Sequence, residues 1–309
     1  MYEHLQYRNN HPNRGKRQLN RKFFKAVVKN NITEVVNCLN SGAHVNAKDS
    51  GGDKTALMVA AAKGYTGVLR VLLFHGAAVH AADKNGNFAI HLATIYGHLE
   101  CVKLLMNWGG LGNVGNLKFL TPLMLAAKYG HFRIFKYLLG KGVNISYQLN
   151  RFKESELTLA VRKGCSRIVQ LLLKIANPKI DRTAELNRAL SIAISLDRLK
   201  TTKVLIAFGA DVNSIEEDGK PSIYAAILRN NLDLTNCLVS NGADINQKNR
   251  FGLTPLMFAI KMEQVNIVRY LIKAGADIHA VEERTGQTAL EMAKNGKNKD
   301  IMKVFEKEI

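Results

Sequence analysis

The stretch Thr121–Gly142, TPLMLAAKYGHFRIFKYLLGKG, decides the fold. Its first part, Thr121 to Tyr129, sets Leu123, Ala126 and Ala127 at helical spacing, and Gly130 breaks the pattern. A second helix follows, in which Phe132, Ile134, Phe135, Leu138 and Leu139 form an apolar stripe. Arg133, Lys136 and Lys141 fall on the other side, and Gly142 closes the segment. Helices this short cannot bury both apolar faces against each other alone, so the pair needs copies of itself on either side.

Copies are present. Related segments begin at Arg21, Thr55, Phe88, Thr121, Ser155, Arg188, Pro221, Thr254 and Thr288, in steps of 34, 33, 33, 34, 33, 33, 33 and 34 residues. The chain resembles the ankyrin repeat family through TPLM at Thr121 and Thr254 and through Gly97 with His98 and Gly130 with His131. The endings GADVN at Gly209, GADIN at Gly242 and GADIH at Gly275 carry the same resemblance, which covers roughly residues 21–309. It implies an all-α dominated repeat solenoid, an array of helix-turn-helix repeats with β-hairpin fingers before each first helix. The expected organisation is a basic, disordered N-terminal tail over residues 1–20 and a single ankyrin repeat domain over 21–309, with the first and last repeats as caps.

Met1 is followed by a polar, basic segment, and no run of eighteen apolar residues occurs, which argues against secretion and membrane spanning. Cys38, Cys101, Cys165 and Cys237 fall on second helices of four different repeats without paired spacing, so free thiols in a reducing cytoplasmic or nuclear compartment are expected. Arrays of this kind also occur among proteins that bacteria or viruses deliver into host cells. Two capped ends favour a monomer.

Charge is the most informative total. The net charge is +19, and residues 1–200 hold 30 Lys and Arg against 11 Asp and Glu, whereas residues 201–309 hold 14 of each. An excess confined to the first two-thirds predicts an acidic partner whose attraction weakens as salt rises. In the tail, Arg14, Lys16 and Arg17, then Arg21 and Lys22, read as an electrostatic arm or an import signal.

Chemistry is not signalled. The chain lacks H-E-x-x-H, C-x-x-C, G-x-S-x-G and a phosphate-loop lysine motif, so no catalytic residue, metal ligand or cofactor is expected. Gly110, Gly112 and Gly115 fit G-x-G-x-x-G, but they follow a helix where a dinucleotide site needs a strand. His91, His98 and His131 occupy places where the resemblance implies hydrogen bonds within and between repeats. Glu216 with Glu217 and Glu282 with Glu283 read as solvated turn residues. Gly110, Gly112 and Gly115 leave the finger geometry near residues 109–120 undetermined, as Pro178 does near 176–187, and Lys153 stands at the glycine position of its turn.

Function then comes from surface. In the family the resemblance points to, partners meet the concave side formed by finger tips and first helices. Carried onto this chain, that surface consists of Lys84, Tyr96, Lys118, Lys128, Tyr129, Arg151, Phe152, Arg162 and Lys163 in repeats three to five. Cations interleaved with aromatic rings suit an acidic protein or peptide segment. The alternative partners for the basic part are nucleic acid and anionic lipid. The expected function is therefore a non-enzymatic interaction scaffold or adaptor.

Overall fold

A hydroxyl at the start of a helix can hold the free amides of its first turn. Thr55, Thr121, Thr254 and Thr288 each accept on Oγ1 a hydrogen bond from the amide three residues on, at 3.2–3.3 Å. Ser155 and Thr158 cap reciprocally, the Thr158 amide donating to Ser155 Oγ at 3.3 Å and the Ser155 amide to Thr158 Oγ1 at 2.9 Å. Phe88 has no side-chain oxygen to offer. There His91 Nδ1 reaches back and accepts the Phe88 amide at 3.1 Å.

A computed structural model of the chain describes residues 12–49, 51, 53–145, 150, 152, 154–176, 182–214 and 221–308. Arg151, Lys153, Pro178, Glu216 and Glu217 lie outside the described residues, as do residues 1–11 of the expected tail. Helices come in pairs: α1 (Pro12–Val28) with α2 (Ile32–Asn40), α3 (Ala56–Lys63) with α4 (Thr66–Phe74), α5 (Ala89–Ile95) with α6 (Leu99–Asn107), and α7 (Pro122–Tyr129) with α8 (Phe132–Gly140). The series continues with α9 (Glu156–Lys163) and α10 (Ser166–Ile175), α11 (Thr183–Ser195) and α12 (Leu199–Ala207), and α13 (Ser222–Leu228) and α14 (Leu232–Ser240). It ends with α15 (Pro255–Lys261) and α16 (Val265–Lys273), then α17 (Ala289–Asn295) and α18 (Lys299–Glu308).

The chain divides into two compact bodies, Met1–Leu159 and Ala160–Ile309, the division falling inside α9. In the first body α1 packs on α3, α3 on α5 and α5 on α7, while α2, α4, α6 and α8 form a second row. The second body repeats the scheme, α11 on α13, α13 on α15 and α15 on α17, beside a row of α10, α12, α14, α16 and α18. Each body is a helical repeat solenoid, with its core between the rows. Leu123, Met124 and Ala126 of α7 and Ile134, Phe135 and Leu138 of α8 are buried in the first. Ile227, Met257, Val268, Leu271 and Phe305 share one apolar cluster in the second.

The joint between the two helices of a pair explains the Gly-His signature. Gly97 takes φ +82°, a left-handed conformation that a side chain disfavours, and a Cβ there would lie 2.7 Å from His131 Cε1. His131 in turn donates from Nε2 to the Ile95 carbonyl at 3.0 Å, and His98 does the same to Ala62 at 3.1 Å, so each imidazole ties its pair to the preceding one. The carbonyl can only accept, which fixes the proton on Nε2. Asn30, Asp197, Asn230 and Glu263 hold the same left-handed turn without glycine.

Two expectations change. Residues 12–20, expected as tail, form the first turns of the 17-residue α1. Pro12 is tolerated in a first turn, and the Arg, Lys, Gln and Leu that follow are good helix formers propagating from the anchored Phe23, Ala26 and Val27. Glu282, expected at the surface, is 1% exposed, accepts a hydrogen bond from Lys261 Nζ at 2.8 Å and another from Thr285 Oγ1, and its carboxyl is held below the usual range first by Lys261.

Candidate partner-binding surface

Fingers are held by a repeated side-chain device. The Asp83 carboxylate accepts from the amides of Asn85 and Asn87, both at 2.8 Å, while the Asp83 amide donates to the Asn87 carbonyl at 3.0 Å. Asn116 repeats this with Lys118 and Leu120, Asn150 with Phe152 and Glu154, and Asn249 with Phe251 and Leu253. Among the described residues the backbone adds two isolated antiparallel bridges, Lys48 with Thr55 and Val281 with Thr288. Side chains, more than strand ladders, therefore set these tips.

Neighbouring fingers are also joined. Asn116 Nδ2 donates to Asn87 Oδ1 at 2.8 Å, and Asn87 Nδ2 to Asp83 Oδ2 at 3.1 Å, all three residues being buried. The Leu117 amide donates to the Asn85 carbonyl at 3.0 Å, and Lys84 Nζ lies 2.8 Å from Asp53 Oδ2. A tip built this way holds its side chains before any partner arrives.

At the tip of the fourth repeat, Phe119 stands where Gly86 stands in the third, with φ +56° against +73°. Phe119 and Leu117 are each 64% exposed, with Lys118 exposed between them. A bulky side chain in the left-handed region is disfavoured, and here the hydrogen bonds of Asn116 over-determine the turn. Two apolar side chains are thus presented to solvent around a lysine.

At the C-terminal ends of α3, α5 and α7 stand the exposed Lys63, Tyr96, Lys128 and Tyr129. Tyr129 stacks on His131 with ring centroids 6.3 Å apart and planes at 19°, so the imidazole tied to Ile95 also orients this ring. Of the nine residues expected from the sequence, six are described in the first body, Lys84, Tyr96, Lys118, Lys128, Tyr129 and Phe152, all exposed, and Arg151 of the same body lies outside the described residues. Lys84 is engaged by Asp53, which raises its pKa, so its charge is shared with a finger. Arg162 and Lys163 end α9 in the second body, where the Arg162 carbonyl accepts from Arg198 Nη2 at 3.4 Å. Lys63, Leu117 and Phe119 were not anticipated. Lys63 was legible as the counterpart of Tyr96 one repeat earlier, but Phe119 was hidden because it fills a glycine place.

Most carboxylates among the described residues of this body are engaged locally. Asp49 accepts from the amides of Asp53 and Lys54, Asp83 closes its finger, Glu34 pairs with Lys22 at 2.7 Å, Glu100 with Lys103 at 2.8 Å, and Glu154 accepts from Asn150 Nδ2 at 3.1 Å. Lys63, Lys118 and Lys128 have no such partner among the described residues. Unpaired lysines thus stand at the first-helix ends and at the fourth finger tip, as other cations of this body do on α1 and on the second helices.

His91 lies fully buried between its cap and the Val114 carbonyl, which accepts from Nε2 at 2.9 Å. Burial pushes its pKa down to about 4, so the ring is neutral and structural. Among the described residues no group of three or more His, Cys, Asp or Glu is placed to hold a metal ion, and no helix is long and apolar enough to cross a membrane. The four cysteines are free, with Cys38, Cys101 and Cys237 buried and Cys165 half-buried.

A family model described as ankyrin repeats (3 copies) matches residues 23–115, 123–216 and 222–308. The chain is 35% identical over 179 residues to the nuclear factor NF-kappa-B p105 subunit of Gallus gallus, covering 54% of this chain and 18% of that protein. It is 27% identical over 218 residues to an ankyrin repeat protein of Acanthamoeba polyphaga mimivirus, covering 67% of this chain and 28% of that protein. With the human ankyrin repeat domain-containing protein 63 the identity is 34% over 107 residues, 34% of this chain and 28% of that protein. The chain therefore spans between 18% and 28% of the length of these relatives.

Proposed function

We propose, for a chain that belongs to the ankyrin repeat family, a non-enzymatic scaffold that captures an acidic protein segment on the first body's finger tips and first-helix ends. Ankyrin repeats form a protein-protein interaction domain and are generally non-enzymatic. The residues assigned to the surface are Lys84, Tyr96, Lys118, Lys128, Tyr129 and Phe152 from the sequence, with Lys63, Leu117 and Phe119 added. Aromatic and leucyl side chains bury apolar area, and the lysines between them pair with carboxylates.

One observation carries this reading: most of the first body's described acids are paired within the fold, while Lys63, Lys118 and Lys128 stand unpaired, the last two next to the exposed Phe119 and Tyr129. Selecting peptides from a random display library on the intact chain tests it. Enriched sequences are expected to combine Asp or Glu with an apolar residue, and Lys118→Glu with Lys128→Glu is expected to weaken them roughly tenfold or more. Enrichment without acidic residues, or affinity indifferent to the double substitution at unchanged far-ultraviolet signal, would contradict it.

A further inference from the structure

Among the described residues α1 is the longest helix and the most one-sided in charge. Its 17 residues hold Arg14, Lys16, Arg17, Arg21, Lys22 and Lys25 with no Asp or Glu, whereas the first helices α3, α5 and α7 bury their apolar sides in 7 to 8 residues. Part of α1 is accounted for by packing. Phe23, Ala26 and Val27 are buried, Asn20 Oδ1 accepts the His44 amide at 3.0 Å, and Lys22 pairs with Glu34.

Arg17, Arg21 and Lys25 are not accounted for. Four residues apart, they stand along one helix face at a rise of about 6 Å per step. All three are exposed and have no carboxylate partner among the described residues. Like charges at this spacing repel one another, so the stripe weakens the helix that carries it until an anion is present. Beside it Gly15 and Gln18 help to line an open groove, and a Cβ at Gly15 would meet nothing within 4 Å.

We infer that this stripe is a phosphate-backbone site for single-stranded nucleic acid, distinct from the surface on α3, α5 and α7. Evenly stepped cations along a groove suit a flexible chain of negative charges, and the two arginine forks each match a phosphate through paired N–H donors. Of the two rings between Arg21 and Lys25, Phe23 is buried and Phe24 is half-buried edge-on against it, so no fully exposed ring accompanies the stripe and the contact is to backbone, independent of base sequence. Leu19, half-buried, is the one apolar side chain among the groove's described lining residues, a small anchor for a bound peptide. An acidic membrane is disfavoured because the apolar side of α1 is already buried in the body and cannot enter the headgroup layer.

The test uses the full chain and a fluorescein-labelled oligothymidylate of about 20 nucleotides, followed by anisotropy from low to rising salt. Replacing Arg17, Arg21 and Lys25 together by Gln, a good helix former, should weaken binding roughly tenfold or more at low salt and lower the salt slope by about 2. A control of equal charge, Arg70→Gln with Arg133→Gln and Lys136→Gln on second helices, should change affinity less than about twofold. Arg17→Lys with Arg21→Lys, which keeps the charge and removes only the forks, guards against loss of fold and should retain most of the binding. The inference is overturned by equal losses in the stripe and control variants, by no binding of the unaltered chain at low salt, or by stripe-dependent binding of phosphatidylserine vesicles or polyglutamate without binding of the oligonucleotide.

Discussion

Phe119 shows how a single residue can trade stability for exposure. Its left-handed turn costs an L-residue on the order of 1–2 kcal/mol, so Phe119→Gly should leave stability to urea equal or raise it by about 1 kcal/mol. The same change should weaken the selected acidic peptides, because it deletes an exposed apolar contact. A stability loss of more than about 1 kcal/mol would mean that the ring packs in the folded body. His91 makes an opposite case, a buried base that stays neutral. Its pKa is about 4 when folded and near the ordinary 6.5 when unfolded, so between these values the unfolded chain binds the extra proton. Stability should therefore fall as pH is lowered from about 6.5 to about 4, by at most about 3 kcal/mol from this residue, and His91→Gln should flatten that part of the urea-midpoint profile. The structural part played by His91 was legible from its place in the repeat. Phe119 was not, since a turn that normally demands glycine gives no sequence signal once asparagine hydrogen bonds hold it in place.

Among elements, α12 is the anomaly. Thr201 and Thr202 are buried where α8 has Ile134 and Phe135 and α16 has Ile267 and Val268, and the Thr202 hydroxyl has no hydrogen-bond partner. Thr202→Val should raise stability by about 1–2 kcal/mol, since it removes an unpaired buried hydroxyl at nearly constant shape; thermal melting that moves downward would show the hydroxyl to be satisfied. The joints are expected to resist change. Gly97→Ala should cost about 2 kcal/mol or more, from its positive φ and from the displaced His131 ring, and a neutral result would contradict the tie between repeats. Helix pairs, their period and several joints were legible because Leu, Ile, Val and Gly recur at the same places in most copies. The start of α1 was not: between Pro12 and Leu19 no large apolar residue marks a face, and only continuation from the buried Phe23 and Ala26 makes the segment helical. Finger tips were legible as turns, but their closure by Asn116, Asn150 and Asn249 was not, because glycine was taken as the marker.

At the scale of the whole molecule charge separates the two bodies. Residues 1–159 hold 21 Lys and Arg against 8 Asp and Glu, and residues 160–309 hold 23 against 17. Capture of an acidic segment by the first body should therefore weaken severalfold between about 0.05 and 0.2 M salt, chiefly through slower association, and salt-independent binding would show that the cations are bystanders. The distribution was readable from composition, but which lysines remain available was not, because Glu34 takes Lys22 only when α1 and α2 pack together and Asp53 takes Lys84 only once neighbouring repeats are stacked. The central claim, that partners dock on the finger tips and first-helix ends of the first body, is tested most directly by site-specific photo-crosslinking. A benzophenone-bearing amino acid in place of Tyr129, or in place of Lys136 on the outer row, would be irradiated with a selected acidic peptide. Adducts at position 129 that vanish with Lys118→Glu and Lys128→Glu, and few at position 136, are the predicted result; adducts at 136 alone, or at both positions equally, would contradict it.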